Sequence, residues 1–204
     1  MKRHIFFDYG RTLVKHPAEE DEIFLSRGIT DTARIKELQK TIFSMGDFLN
    51  RLDEGSMPRC AYHEQLKKQI PPDLLSVALS AADYHIGELT ALPDMEALLI
   101  KLKKDGFKLY ITSNMDTLHS AQMRDVPITR YFDGMIFSGE IGVRKPSVAF
   151  FKKALERFSL SPEECLFIDD LAENVTGAAA CGIKGLAFDG NAEKAERFIY
   201  RESQ

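Results

Sequence analysis

The sequence predicts an α/β fold in which a parallel sheet lies between two layers of helices, with a helical insert after the first strand. Three observations lead there. Short apolar runs recur, each bounded by polar residues or glycine: His4-Ile5-Phe6-Phe7, Phe107 to Thr112, Gly134 to Phe137, Cys165 to Ile168 and Gly185 to Phe188. Runs of this length fit strands buried on both faces. Helical patterns separate the later runs, and parallel strands require such crossovers. Nearly a hundred residues separate the first run from the second, far more than one crossover takes.

After the first strand, the stretch from about Lys15 to about Leu89 reads as helical pieces: Glu20 to Ser26, Thr32 to Phe43, Cys60 to Gln69 and Asp73 to Tyr84, punctuated by Gly55 and Pro71-Pro72. This predicts a core of residues 1–14 and 90–204, and a lid domain of residues 15–89. Asp94 to Lys104 places Met95, Leu98, Leu99 and Leu102 on one face, with Pro93 before it and Gly106 after. Ser147 to Phe158 repeats the pattern with Phe150, Phe151, Ala154, Leu155 and Phe158. Glu173 to Cys181 is rich in small residues, suiting close packing on a sheet, and Gly182 predicts its stop.

The composition narrows the function classes. Of 204 residues, 44% are apolar and 28% charged, an ordinary globular balance. The net charge is −4 with no basic block, which disfavours nucleic acid as a partner. No apolar run approaches the roughly 18–20 residues that span a bilayer, and the N-terminal run ends at Asp8, too short for a secretory signal. The three cysteines, Cys60, Cys165 and Cys181, lie far apart in sequence, as expected of free thiols in a reducing cytoplasm. Oligomeric state is left open between monomer and weak dimer.

Ligands of open parallel sheets bind beyond the carboxyl ends of the strands. Four such ends carry reactive groups: Asp8; Ser113-Asn114; Lys145 in Gly142-Val143-Arg144-Lys145-Pro146; and Asp169-Asp170. This set suits phosphoryl transfer. A carboxylate can attack phosphorus, and attack of an anion on an anion calls for nearby positive charge. Mg²⁺ prefers carboxylate, carbonyl and water oxygens, which Asp8, a nearby main-chain carbonyl, Asp169 and Asp170 offer. Ser113, Asn114 and Lys145 offer hydrogen bonds and charge to phosphate oxygens. Each group alone has a plainer reading as cap, turn or solvated loop residue; their joint placement carries the argument.

With these residues in view, the sequence resembles the haloacid dehalogenase-like (HAD) hydrolases over nearly its whole length. IFFDYGRTL is similar to the family's first motif, ITSN to the second, the lysine of VRKP to the third and FIDD to the fourth. The resemblance implies subfamily I: a Rossmann-like three-layer core with a C1-type helical cap inserted after the first strand. GEIGVRKP, the Leu118-His119 helix after TSN, and FIDDLAENVTGA most resemble the α-D-glucose-1-phosphate phosphatases and the N-terminal phosphatase domain of soluble epoxide hydrolases. The implied roles are Asp8 as nucleophile, and Asp8, Gly10 (through its carbonyl), Asp169 and Asp170 as Mg²⁺ ligands. Ser113, Asn114 and Lys145 would hold the phosphoryl group of a small phosphorylated metabolite, a sugar phosphate among the candidates.

One position departs from the common pattern. The family's usual second aspartate, two residues after the nucleophile, is replaced by Gly10. General acid–base help from such a residue contributes typically 10²–10⁴-fold. Three readings stay open: a phosphatase using a better leaving group, water, or a lid acid such as Asp53 or Glu54; a dehalogenase or phosphonatase chemistry on the same scaffold, the latter with Lys67 or Lys68 as Schiff-base lysine; or a phosphate-ligand binder without turnover. Arg11 is a candidate for binding a second anionic group of the substrate.

Overall fold

The computed structural model describes residues 3–204, without the side chain of Arg124; Lys2 lies outside the described residues. In chain order the elements are β1 (His4–Phe7), α1 (Glu22–Leu25), α2 (Thr32–Phe43), α3 (Asp47–Asp53), α4 (Arg59–Gln69), α5 (Pro72–Ala82), α6 (Pro93–Lys104), β2 (Lys108–Ser113), α7 (Thr117–Gln122), β3 (Gly134–Phe137), α8 (Ser138–Ile141), α9 (Val148–Phe158), β4 (Cys165–Asp169), α10 (Ala172–Ala180), β5 (Lys184–Ala187) and α11 (Ala192–Glu202). The strands form one sheet in the order β3-β2-β1-β4-β5, every pair parallel. It is a three-layer Rossmann-like fold, as expected.

Strand periodicity makes the layers. Ile5 and Phe7 of β1, Leu109 and Ile111 of β2, and Leu166 and Ile168 of β4 point into one core, joined by α6 and by Ala195, Phe198 and Ile199 of α11. Phe6, Tyr110, Ile136 and Phe167 point to the other face, against Phe150, Phe151 and Ala154 of α9 and Ala178 of α10. Because successive side chains of a strand alternate in direction, each central strand must be apolar throughout, and β4 is buried at every position. Helix α11 lay outside the elements read from sequence, although Ala195, Phe198 and Ile199 carry the spacing of a buried helical face.

The insert is helical throughout, and α2 has the bounds expected. Asp31 caps it, its carboxylate accepting from the Arg34 amide at 3.0 Å. The chain leaves the sheet and returns to it at one place. Val14 bridges Gly10 on one side and Ala91 on the other. Lys15 N–H donates to the Thr90 carbonyl at 2.8 Å and Leu92 N–H to the Leu13 carbonyl at 2.9 Å. The two connections therefore run paired, next to the turn that follows β1. Among the described residues, no helix is long and apolar enough to cross a membrane, and all three cysteines are free.

The sheet register sets the site. Phe7 stands level with Ile111 on β2 and with Ile168 on β4. One step on, Asp8 donates its amide to the Ile168 carbonyl at 2.9 Å and comes level with Thr112 and Asp169. The loop carrying Lys145 is pressed onto α10 at Gly177. A Cβ at Gly177 would fall inside the van der Waals envelope of the Pro146 carbonyl oxygen, against rigid main chain. Gly177→Ala is therefore expected to destabilise the fold by about 1–3 kcal/mol, read as a lower urea midpoint with an unchanged m-value.

Candidate active site

Four chain segments deliver one polar cluster beyond the carboxyl edge of the sheet. Lys145, 1% exposed, places its Nζ 2.7 Å from Asp8 Oδ1, 2.7 Å from Asp169 Oδ2 and 2.8 Å from the Thr112 carbonyl. Three donors of one ammonium thus meet three acceptors. Burial alone would lower the Lys145 pKa, but the charges of Asp8 and Asp169 outweigh it and hold the pKa above its ordinary value. The lysine stays charged. Burial raises the Asp8 carboxyl, with Asp169 adding to the rise and Lys145 opposing it.

The residues around this knot fix its parts. Asn174, on the first turn of α10, donates from Nδ2 to both carboxylate oxygens of Asp169, at 2.9 and 3.0 Å. The Leu171 amide adds a third bond at 2.8 Å. Asn114 braces the lysine loop: its Oδ1 accepts from Lys145 N at 2.8 Å, and its Nδ2 donates to the Lys145 carbonyl at 3.0 Å. The sequence pointed to Asn114 as a phosphate ligand; the structure commits its amide to positioning Lys145, with one N–H of Nδ2 left over. Asn174 and the Thr112 carbonyl were not singled out from sequence. Asn174 carried a signal in its spacing, five residues after Asp169, whereas a main-chain acceptor carries none.

Asp8, Asp169 and Asp170 bring carboxylate oxygens within 4.8 Å of one another. Asp170 is partly exposed, and its pKa is raised first by burial and then by Asp169. Three crowded carboxylates facing a single ammonium form an oxygen donor set with surplus negative charge, which fits a hard divalent cation.

Two hollows flank this cluster. A cleft of about 400 Å³ is bordered by Asp8, Lys145, Asp170, Arg144 and Arg11. Beside it, under the insert, lies a cavity of about 140 Å³ walled by Tyr9, Phe43, Leu52, Tyr62, Tyr84 and Met115. Ser113 borders both, and its Oγ makes one long contact, 3.4 Å to the Asn114 carbonyl. Gly10 borders both as well. Arg11 stands at the cleft rim in a left-handed conformation, φ 54°, with its Nε 2.6 Å from Glu19 Oε1. Its charge is thus paired with an acid of the insert. Lys67 and Lys68 are exposed on α4, Lys67 paired with Glu64, and border neither hollow. This placement removes the Schiff-base version of the alternatives.

A second polar knot seals the far wall. Arg59 of α4 bonds Asp116 at 2.7 Å and Asp83 at 2.7 Å. Asp116 caps α7 and holds His119 Nδ1 at 2.6 Å, and His119 stacks on Tyr84 at 4.4 Å. His119 is buried in this packing. Burial raises the Asp116 carboxyl, but His119 and Arg59 together hold it well below its ordinary value.

A sequence model of haloacid dehalogenase-like hydrolases matches residues 3–182. The chain belongs to the haloacid dehalogenase-like hydrolase family. It is 36% identical over 161 residues to a sesquiterpene phosphatase of Aspergillus oryzae, covering 74% of this chain and 80% of that one. It is 29% identical over 128 residues to a glyceraldehyde 3-phosphate phosphatase of Methanothermobacter thermautotrophicus, covering 60% of this chain and only 57% of that relative's length. Among solved structures, a HAD-family enzyme of Bacteroides thetaiotaomicron in a magnesium complex superposes with a TM-score of 0.68 at 21% identity. That match covers 97% of this chain and 98% of the other, and it speaks to the fold.

Two outcomes follow from the knots. Lys145→Met leaves Asp8 and Asp169 facing each other without compensation and is expected to cost about 3–5 kcal/mol at neutral pH, measured by urea unfolding. Ionised Asp116 stabilises the fold above its ordinary pKa of 3.8, and that contribution is lost as the pH falls below it. Asp116→Asn should therefore lower stability by about 1–3 kcal/mol at pH 7, with the difference from wild type shrinking towards pH 3.

Proposed function

We propose that this hydrolase cleaves the phosphoric monoester of a small phosphorylated metabolite through an aspartyl phosphate on Asp8. The observation that carries the reading is the buried Lys145 ammonium shared by Asp8 and Asp169, with Asp170 alongside. A nucleophile that must meet a dianionic phosphoryl group requires cationic surroundings, and the three carboxylates fit Mg²⁺, held by Asp8, Asp169, Asp170 and the Gly10 carbonyl. When bound, Mg²⁺ supplies charge neutralisation and orients the phosphoryl oxygens. Dehalogenation is the weaker reading. A 2-haloacid brings its own carboxylate, and the nucleophile and the two acids crowded beside it repel that charge.

The chain's own groups then act in order. Lys145 fixes the Asp8 carboxylate, which attacks phosphorus as the ester P–O bond breaks, and the electron pair stays on the alcohol oxygen. Ser113 hydrogen-bonds a phosphoryl oxygen, joined by the spare N–H of Asn114 Nδ2. Water then attacks phosphorus, the bond to Asp8 breaks, and inorganic phosphate leaves. Closure of the insert excludes bulk water during the transfer. A sugar phosphate suits the polar cleft, and the apolar wall beside it suits a leaving group with a hydrocarbon face. The relatives named as a glyceraldehyde 3-phosphate phosphatase and a sesquiterpene phosphatase support a small phosphorylated molecule as the substrate. The free thiols support the cytoplasm as its location.

Phosphate release from a panel of phosphorylated metabolites, with and without Mg²⁺, tests the reading. We expect release to require Mg²⁺ and Asp8→Asn to lose at least about a thousandfold in kcat/KM. Halide release from a 2-haloacid without metal would instead establish the dehalogenase chemistry.

A further inference from the structure

Gly10 offers no side chain to protonate the leaving oxygen, so some other group must stand where cleft and cavity meet. Among the described residues, only two titratable side chains border both hollows, His16 and Asp53. His16 is already committed. Its Nδ1 accepts from the Ala18 amide at 3.1 Å, which fixes a neutral ring with the proton on Nε2. Burial and the charge of Arg11 push its pKa down to about 4. A neutral imidazole can donate a hydrogen bond here, but it has no proton to give up near neutral pH.

Asp53 is different. It ends α3 on the insert, yet its position is set from the core: its carbonyl accepts from Ser138 Oγ at 2.5 Å. The following turn is pressed against α8, since a Cβ at Gly55, φ +71°, would meet the Gly139 carbonyl oxygen at 2.8 Å. Among the described residues, the Asp53 carboxylate makes no hydrogen bond and no ion pair. We infer that Asp53, delivered by the insert, is the general acid and base of this enzyme, doing the work of the missing aspartate at position 10. The groups facing it are Asp116 and Glu54, which raise its pKa beyond the larger effect of burial, and Arg144 and Arg59, which lower it. The balance leaves it at about 7, where a carboxyl both gives and takes a proton.

This role rests on the phosphomonoesterase reading above. As Asp8 attacks and the ester P–O bond breaks, the Asp53 proton passes to the departing alkoxide oxygen, and the alcohol leaves. The Asp53 carboxylate then takes a proton from the water that attacks the aspartyl phosphate. The P–O bond to Asp8 breaks, phosphate leaves, and Asp53 is protonated again. The insert thereby ties catalysis to closure, because the acid is in place only when α3 is docked on Ser138.

The test uses Asp53→Asn and two substrates, a simple alkyl phosphate and p-nitrophenyl phosphate. The phenolate of the second leaves without a proton. In kcat/KM we expect a loss of about a hundredfold on the alkyl ester and less than about tenfold on the aryl ester. The aryl ester should also show a burst of nitrophenol, because hydrolysis of the aspartyl phosphate still lacks its base. Gly10→Asp in the same variant should restore at least about tenfold on the alkyl ester. The new Cβ would meet only His16 Cδ2, at 3.7 Å, and Gly10 does not have a left-handed φ. Equal losses on both esters without a burst, or no loss on either, would overturn the role of Asp53 and leave the phosphatase reading standing. A wild-type enzyme that cleaves neither ester, nor any phosphorylated metabolite, would overturn both.

Discussion

The structure hangs on one ammonium group. Lys145 reaches the centre of the sheet's carboxyl edge and satisfies Asp8, Asp169 and a strand carbonyl at once. Isolated, any of these charges would be costly in so buried a place. Together they require that β1, β2 and β4 be neighbours in a fixed register, and that the loop after α8 fold back across their ends. Asn114 and Asn174 are the braces of this arrangement, one on the lysine's main chain and one on Asp169. The same lysine thus organises the folded chain and places positive charge against Asp8.

Much of this was legible in the chain because strands buried on both faces announce themselves locally. His4–Phe7 and Cys165–Ile168 stand out as apolar runs with Asp8 and Asp169 directly after them, and Gly134–Phe137 stands out too, although Lys145 follows it only after α8. Thr32–Phe43 was legible for a similar reason, a capped amphipathic pattern of full length. The rest depends on distance. Asp53 and Ser138 are 85 residues apart, and Arg59 reaches His119 across 60; no local pattern encodes such pairings. Arg11 illustrates the limit. Its unusual neighbour Gly10 suggested a substrate role, while its partner Glu19 lies on the first turn of the insert. The short helices α7 and α8 are too brief to show a period and exist because Asp116 and Ser138 bond the main chain around them.

The insert is more than a cover. Its α4 contributes Arg59 to the wall built by Asp116 and His119, and its α3 docks on Ser138 of the core. These contacts are polar and few, whereas the apolar contacts of the insert merge with those of the core face it covers. To open, the insert would break the Arg59–Asp116 ion pair and the neutral Ser138–Asp53 hydrogen bond, and would expose aromatic surface. Its closed state is therefore specified by geometry as well as by area.

The paired connections at Val14 and Ala91 have a consequence for the history of such a chain. Because the insert begins and ends at adjoining residues, the sheet experiences it as a single surface loop whose closure is already made. Loop-closure entropy grows only slowly with length, so segments could be lengthened, shortened or exchanged there with little disturbance to the strands. Substrate preference and the chemistry of the sheet edge can then diversify on separate schedules. The turn after Asp8 would feel each new insert first, through the bridge from Val14 to Gly10.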